Sequence, residues 1–69
     1  MTLRAAFACN EWARESVVRA NTWRLASTVV VSQNPTAEAP IRVMRSLMRQ
    51  NALDAVKRAR YALEMEKAA

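Results

Sequence analysis

The chain of 69 residues is long enough for one small domain, and it carries 11 Lys and Arg against 6 Asp and Glu, with no His, no Gly and one Cys. A chain of this size buries little apolar surface, so a self-sufficient core is hard to build without disulfides, a metal or a partner. The single Cys excludes an internal disulfide, and the missing His removes the usual zinc ligand and the usual general base. We therefore expect no enzymatic activity, no cofactor and no metal site.

The remaining composition indicates the class of partner. The apolar runs are much shorter than the roughly 18 residues that span a bilayer, so the sequence predicts no transmembrane insertion. The absence of Gly excludes phosphate-cradling loops and Asn-Gly hairpins, which favours helices with short connections. The formal net charge of +5 indicates an anionic partner, either a nucleic acid or an acidic membrane surface, rather than a small-molecule substrate.

Residues 1–26 are predicted to form a mostly helical extension. Asn10 is a suitable N-cap for a helix beginning at Glu11, whose carboxylate suits the positive end of the helix dipole. Trp12 and Trp23 fall on one side of this helix and are the candidate contacts to a neighbouring protein. The Arg-bearing start also resembles a mitochondrial import signal. The extension is therefore expected to be a retained import signal, a docking helix or both.

The segment that follows is predicted to begin with an extended stretch. The β-branched run Thr28–Val31 favours a short strand-like arm, and Pro35 then breaks the chain because it disfavours helix at the preceding residue. Thr36 is a candidate cap for a helix over about Ala37–Gln50. Pro40 falls in or just after the first turn of that helix, where a missing N–H costs least.

Asn51 is predicted to end this helix because, without Gly, Asn best tolerates the left-handed conformation of a helix end. A second basic helix is expected from residue 52 or 53 to residue 66. The predicted fold is therefore all-α and extended: an N-terminal helix, a strand-like arm, and two basic helices broken near Asn51, with little independent core. The sequence is predicted to divide into residues 1–26 and residues 27–69.

Positive charge is concentrated between residues 42 and 61, where there are six basic residues and one acidic residue, Asp54. Nine of the eleven cations in the chain are Arg, which favours planar, bidentate contact with phosphate. The alternative is a solvated face beside an apolar dimer seam, but such faces usually mix charges of both signs. The aromatic residue of this region could stack on a base or lie half-buried at the helix edge. The candidate RNA-binding residues are Arg42, Arg45, Arg49, Lys57, Arg58, Arg60 and Tyr61.

The order of these elements resembles the bacterial-type small-subunit ribosomal protein twenty-one family, and most nearly its mitochondrial members. The resemblance covers about residues 26–64. Each piece is short, so the specificity lies in their order and spacing. The pieces are the run Thr28–Val31, the helix start at Ala37 and Glu38, the cations Arg42 and Arg45, the break at Asn51, and the basic–aromatic element Lys57, Arg60 and Tyr61.

The resemblance implies a structural constituent of the mitochondrial small ribosomal subunit, located in the matrix. It would bind small-subunit rRNA near its 3′ end, on the platform, and contact neighbouring small-subunit ribosomal proteins through an arm and two basic helices. The residues carried over as facing rRNA are Arg42, Arg45, Lys57, Arg58, Arg60 and Tyr61. The family usually continues with a second aromatic residue and a strongly basic tail, whereas residues 62–67 differ here, and the first 25 residues lie outside its pattern.

A second interpretation belongs to another class of protein. A small helical accessory subunit of a mitochondrial membrane complex, held by protein contacts and acidic lipid, would account equally for the two Trp and the basic helices. It would not require the basic–aromatic element after a helix break. A free nucleic-acid-binding regulator is less favoured, because the sequence lacks a helix-turn-helix spacing with a Gly turn. Under the ribosomal interpretation, the chain is expected to be partly disordered in isolation and to fold when it joins the ribosome.

Overall fold

The computed structural model describes residues 2–68, which form three α-helices. Helix α1 spans Leu3–Cys9, helix α2 spans Glu11–Gln33 and helix α3 spans Glu38–Ala68. Within the described residues there is no β-strand. The predicted all-α class is therefore confirmed.

Asn10 separates α1 from α2 and serves both helices. Its backbone N–H donates to the Ala6 carbonyl at 2.9 Å, which closes α1. Its side-chain Oδ1 accepts from the backbone N–H of Ala13 at 2.9 Å, which caps α2. The predicted N-cap and the predicted start at Glu11 are both confirmed.

The predicted strand-like arm is wrong, because Thr28–Val31 forms part of the last two turns of α2. The Thr28 hydroxyl donates to the Arg24 carbonyl at 3.0 Å, a bond back to the preceding turn that suits Thr in a helix. Ser27 is buried and Val30 is half-buried. The modest β preference of branched residues is thus outweighed by packing of this part of α2.

A short turn at residues 34–37 reverses the chain. The Asn34 N–H makes the last bond of α2, to Val30, and Pro35 follows as predicted. The Thr36 hydroxyl donates to the Asn34 side chain at 2.9 Å, and α3 begins at Glu38, one residue later than predicted. The turn is therefore tied internally, and it places α2 and α3 side by side.

The predicted helix break at Asn51 is also wrong, because α3 continues through this position. The Asn51 side-chain amide donates to the Leu47 carbonyl at 2.8 Å, so its polar group is satisfied within the helix. No residue among 2–68 has a positive φ. The residues that follow, Ala52 and Leu53, are strong helix formers, and they extend the helix rather than end it.

Small side chains form the contact between the antiparallel helices α2 and α3. On α2, the buried positions recur at spacings of three, four and seven residues, as in a coiled-coil seam. On α3, Ala55 and Ala59 are buried opposite them, with Ile41 near the turn. Small residues let two helix backbones approach closely. The buried α2 residues are Ala13, Ser16, Ala20 and Ser27.

Helix α1 packs at the end of the hairpin that lies away from the turn. Ala6 is buried there together with Ala13 and Ala59, and Leu3, Phe7 and Leu63 pack around them. The described residues form a rod of 51 × 16 × 14 Å. The two ends of this rod carry different groups of polar side chains.

Candidate nucleic-acid interface

Four of the predicted RNA-binding residues lie on one side of α3. Arg42, Arg45 and Arg49 are spaced by three and four residues, and Arg60 follows eleven residues later, so helical periodicity aligns all four. All four are exposed, and among residues 2–68 none of them forms an ion pair. We call this set the arginine stripe.

The first three residues of the arginine stripe line an open groove beside the turn, which we call the hairpin groove. Its volume is about 680 Å³. Ile41, which also lines the groove, is buried, whereas the three Arg are exposed. The groove is lined by Val31, Pro35, Glu38, Ile41, Arg42, Arg45, Ser46 and Arg49.

The electrostatic character of the hairpin groove is positive. The charged residues that line it are three Arg and one acidic residue, Glu38. Between residues 39 and 63 the only acidic residue is Asp54. Its carboxylate is bonded to Ser16 and Arg58 between the helices and is therefore unable to neutralise the stripe. Uncompensated cations concentrated on one side of a molecule attract polyanions.

Arg58 lies between the helices and does not join the arginine stripe. Its Nη1 donates to the Trp12 carbonyl at 2.9 Å, and its guanidinium lies 4.8 Å from the centre of the Trp12 ring. Its Nε lies 3.0 Å from Asp54 Oδ2, an ion pair whose N–H is too poorly aligned for a hydrogen bond. Glu15 Oε2 is 3.9 Å from Nη1. Only 16% of the Arg58 side chain is exposed.

The contacts of Arg58 belong to a larger group, the Arg58 cluster. The Ser16 hydroxyl is buried and donates to Asp54 Oδ2 at 2.9 Å, which adds a second bond between α2 and α3. Glu15 also pairs with Arg19 on the outside of α2. The cluster consists of Trp12, Glu15, Ser16, Asp54, Arg58 and Tyr61. A residue predicted to face rRNA is thus committed to holding the hairpin together.

Tyr61 packs on Trp12 with its ring edge toward the indole. The ring centroids are 5.8 Å apart and the planes meet at 82°, an arrangement that aromatic pairs favour. Both rings stay about half exposed. Tyr61 and the arginine stripe lie on different sides of α3, with the exposed Lys57 between them. The structure therefore does not place the predicted aromatic beside the arginine stripe.

The two Trp predicted to contact another protein both lie on the side of α2 that faces α3. Trp12 makes the intramolecular contacts of the Arg58 cluster, and Trp23 is half-buried at a position aligned with Ala20 and Ser27. The outer side of α2 is instead apolar and exposed at Val18, Leu25 and Val29. Their spacing of seven and four residues places them in one line.

Sequence reasoning did not predict several of the contacts that shape these sites. Asp54 and Arg58 are four residues apart in a helix, and this spacing was a readable signal for their ion pair. The contacts of Ser16 and Glu15 with α3 had no such signal, because they depend on how α2 and α3 align. Glu38 and Val31 meet in the hairpin groove for the same reason.

Comparison with protein-family models, with curated proteins and with solved structures finds no match for this chain. Within residues 2–68, none of the three helices has the length and apolarity needed to cross a membrane.

Proposed function

We propose that this protein is a non-catalytic, RNA-binding constituent of the mitochondrial small ribosomal subunit. It contacts small-subunit rRNA near the 3′ end through the arginine stripe, in the mitochondrial matrix. The observation that carries this proposal is the collection of Arg42, Arg45 and Arg49 in one open groove, without an ion-pair partner among the described residues. Arg60 extends the same side of α3.

The physical chemistry of the stripe supports a nucleic-acid partner. Guanidinium groups bind phosphate oxygens in pairs of hydrogen bonds, and each neutralised phosphate releases counterions. Arg42 and Arg60 are separated by 18 residues of continuous helix, which is about 27 Å along the axis. A rigid rod of this length meets several phosphates at once, and such contacts give affinity and position with little reading of sequence.

The ribosomal part of the proposal is supported by the resemblance of the basic residues. The order of Arg42 and Arg45, then Lys57, Arg60 and Tyr61, resembles the mitochondrial members of the small-subunit ribosomal protein twenty-one family. The segments that would correspond to the extended arm and to the helix break of that family are helical in this chain. The support therefore comes from the basic residues and their order, and not from the fold.

Contact with neighbouring small-subunit ribosomal proteins is assigned to the outer side of α2. Val18, Leu25 and Val29 are each more than half exposed, which leaves their apolar surface open to a partner. Trp12 contributes to this contact indirectly, because its contacts with Arg58 and Tyr61 hold α2 against α3, while Trp23 is half-buried on the same side of α2.

The second candidate function is a helical accessory subunit of a mitochondrial membrane complex. The same exposed line of Val18, Leu25 and Val29 favours it, with Arg14 beside that line at helical spacing. Such a side rests on another protein or on the surface of an acidic membrane. This candidate leaves the arginine stripe without a dedicated partner, which is why we place it second.

Sedimentation distinguishes the two candidates. Tagged protein from gently lysed mitochondria is expected to migrate with the small ribosomal subunit in a sucrose gradient and to leave that fraction after RNase treatment. Arg42→Glu with Arg45→Glu is expected to deplete the protein from the small subunit, because two phosphate contacts become repulsive. The matched control carries Arg4→Glu with Arg24→Glu, which makes the same change of charge at exposed positions away from the arginine stripe and from the line of Val18, Leu25 and Val29.

Migration with a membrane complex, unaffected by RNase, would contradict the ribosomal proposal. Normal incorporation of the Arg42 and Arg45 double variant would contradict the assignment of the interface to the arginine stripe. A variant with wild-type helix content by circular dichroism excludes unfolding as the cause of depletion.

A further inference from the structure

The hairpin groove contains more than a phosphate site needs. Alongside its three Arg it holds the Glu38 carboxylate and an apolar part made by Val31, Pro35 and Ile41. A carboxylate repels a phosphodiester, and apolar side chains add nothing to phosphate binding. The same mixture suits a ligand that has a negative end, a flat apolar body and an edge of hydrogen-bond donors.

Glu38 is free to take part in such binding. Its side chain is exposed, and among residues 2–68 it forms no ion pair and no side-chain hydrogen bond. The carboxylate offers two acceptor oxygens in one plane. It therefore selects for a partner with two neighbouring donors.

Guanine is the RNA base with two adjacent donors on its Watson–Crick edge, N1–H and N2–H₂. Adenine and cytosine present one amino group beside an acceptor nitrogen, and uracil presents one N–H between two carbonyls. In a duplex this edge of guanine is paired, so a side chain reaches it only where the base is unpaired.

The distances along α3 agree with one nucleotide. Glu38 and Arg45 are seven residues apart on the same side of the helix, which is about 10.5 Å along the axis. This span is comparable to that from the Watson–Crick edge of a guanine to its own phosphate. Arg42 lies between the two, where its planar guanidinium is able to stack on the base.

We propose that the hairpin groove binds one unpaired guanine nucleotide of the RNA. Glu38 accepts hydrogen bonds from N1–H and N2–H₂, Arg45 and Arg49 bind the flanking phosphates, and the side chains of Val31 and Pro35 cover the ribose and base. This inference rests on the proposed function and adds the kind of nucleotide that the groove selects. It also assigns base contact to the groove instead of Tyr61, which packs on Trp12.

The test measures binding of the full chain to five RNA hairpins by fluorescence anisotropy at one fixed salt concentration. Four hairpins differ only in a single bulged nucleotide, and the fifth has no bulge. The guanine bulge is expected to bind about tenfold more tightly than the other three, which is the scale of one bidentate contact to a base. The hairpin without a bulge is expected to bind like the weaker group.

The decisive variant is Glu38→Gln, with Glu64→Gln as the matched control. Both remove one negative charge from α3, so both are expected to bind the RNAs that lack a bulged guanine somewhat more tightly. Only Glu38→Gln is expected to reduce the preference for guanine, to about twofold, because an amide replaces one of the two acceptors by a donor. The ratio between bulges separates a base contact from a general electrostatic effect.

Two results would overturn the inference and leave the RNA-binding proposal standing. The first is equal affinity for all five hairpins, together with a loss of binding in the double variant Arg42→Gln with Arg45→Gln. The second is a guanine preference that survives Glu38→Gln. Affinity that is unchanged by the Arg double substitution for every hairpin would overturn the proposed RNA interface as well.

Discussion

Arg58 joins the two long helices at the end of the rod that lies away from the turn. Its guanidinium contacts the carbonyl and the ring of Trp12 on α2, and it pairs with Asp54, which in turn accepts from Ser16. These groups share one small region in which most of the Arg58 side chain is shielded from water. Contacts of a charged group in such a place are stronger than those at an open surface.

Arg58→Ala is therefore expected to destabilise the hairpin by about 1–2 kcal/mol, because it removes a charge-assisted hydrogen bond and the packing on Trp12. Thermal unfolding followed by circular dichroism measures the change. The neighbouring exposed cation supplies the control, since Lys57→Ala is expected to stay within about 0.5 kcal/mol of the wild type. Equal effects of the two substitutions would show that the Arg58 contacts add nothing to stability.

At the scale of the element, α3 is one continuous helix of 31 residues. This continuity places Arg60 on the same side as the groove residues, because a break at Asn51 would rotate the second half of the helix away. The bond from the Asn51 side chain to Leu47 shows how the helix accommodates an amide at this position. The arginine stripe therefore depends on residue 51 remaining helical.

Substitutions at Asn51 test the continuity of α3 directly. In a helix interior, Asn51→Gly is expected to be about 1 kcal/mol less stable than Asn51→Ala, because Gly loses more backbone entropy and Ala is the best helix former. A helix end in the left-handed conformation would reverse this order. Denaturant unfolding of the two variants gives the difference, and a more stable Gly variant would contradict the continuous helix.

Local signals predicted some elements well and others wrongly. The cap at Asn10 and the turn at Pro35 depend on side chains acting within a few residues, and both were predicted correctly. Thr28–Val31 and Asn51 have weak local preferences of a few tenths of a kcal/mol, which packing overrides. The alignment of Arg42, Arg45 and Arg49 followed from helical periodicity. The addition of Arg60 to this side depends on the continuity of α3, which the sequence analysis did not predict. The groove depends on how α2 meets α3 and was not visible in the sequence.

The whole molecule is a thin rod held by small side chains. Ser16 is the largest residue with a fully buried side chain among those described, and five of the six buried hydrophobic residues are Ala. Each such contact contributes little, since stabilisation grows with the apolar area removed from water. A rod of this kind gains much of its stability from whatever binds it.

RNA is therefore expected to raise the unfolding midpoint of the full chain. At a hundred times the dissociation constant, binding to the folded state alone adds about 2.7 kcal/mol. Arg42→Gln with Arg45→Gln is expected to unfold like the wild type without RNA, because both side chains are exposed and unpaired, and to lose most of the increase with RNA. Thermal scans with and without a structured RNA measure both quantities. An increase that the double variant retains would place the binding surface elsewhere.

The closeness of Trp12 to Arg58 and Tyr61 also makes the molecule its own spectroscopic reporter. The indole is 4.8 Å from a cation and 5.8 Å from a tyrosine ring only while α2 and α3 are closed on each other. Opening of the hairpin changes both the emission of this Trp and its energy transfer from the single Tyr of the chain. With Trp23→Phe as the background, stopped-flow emission follows closure of the two helices in real time, without an attached dye.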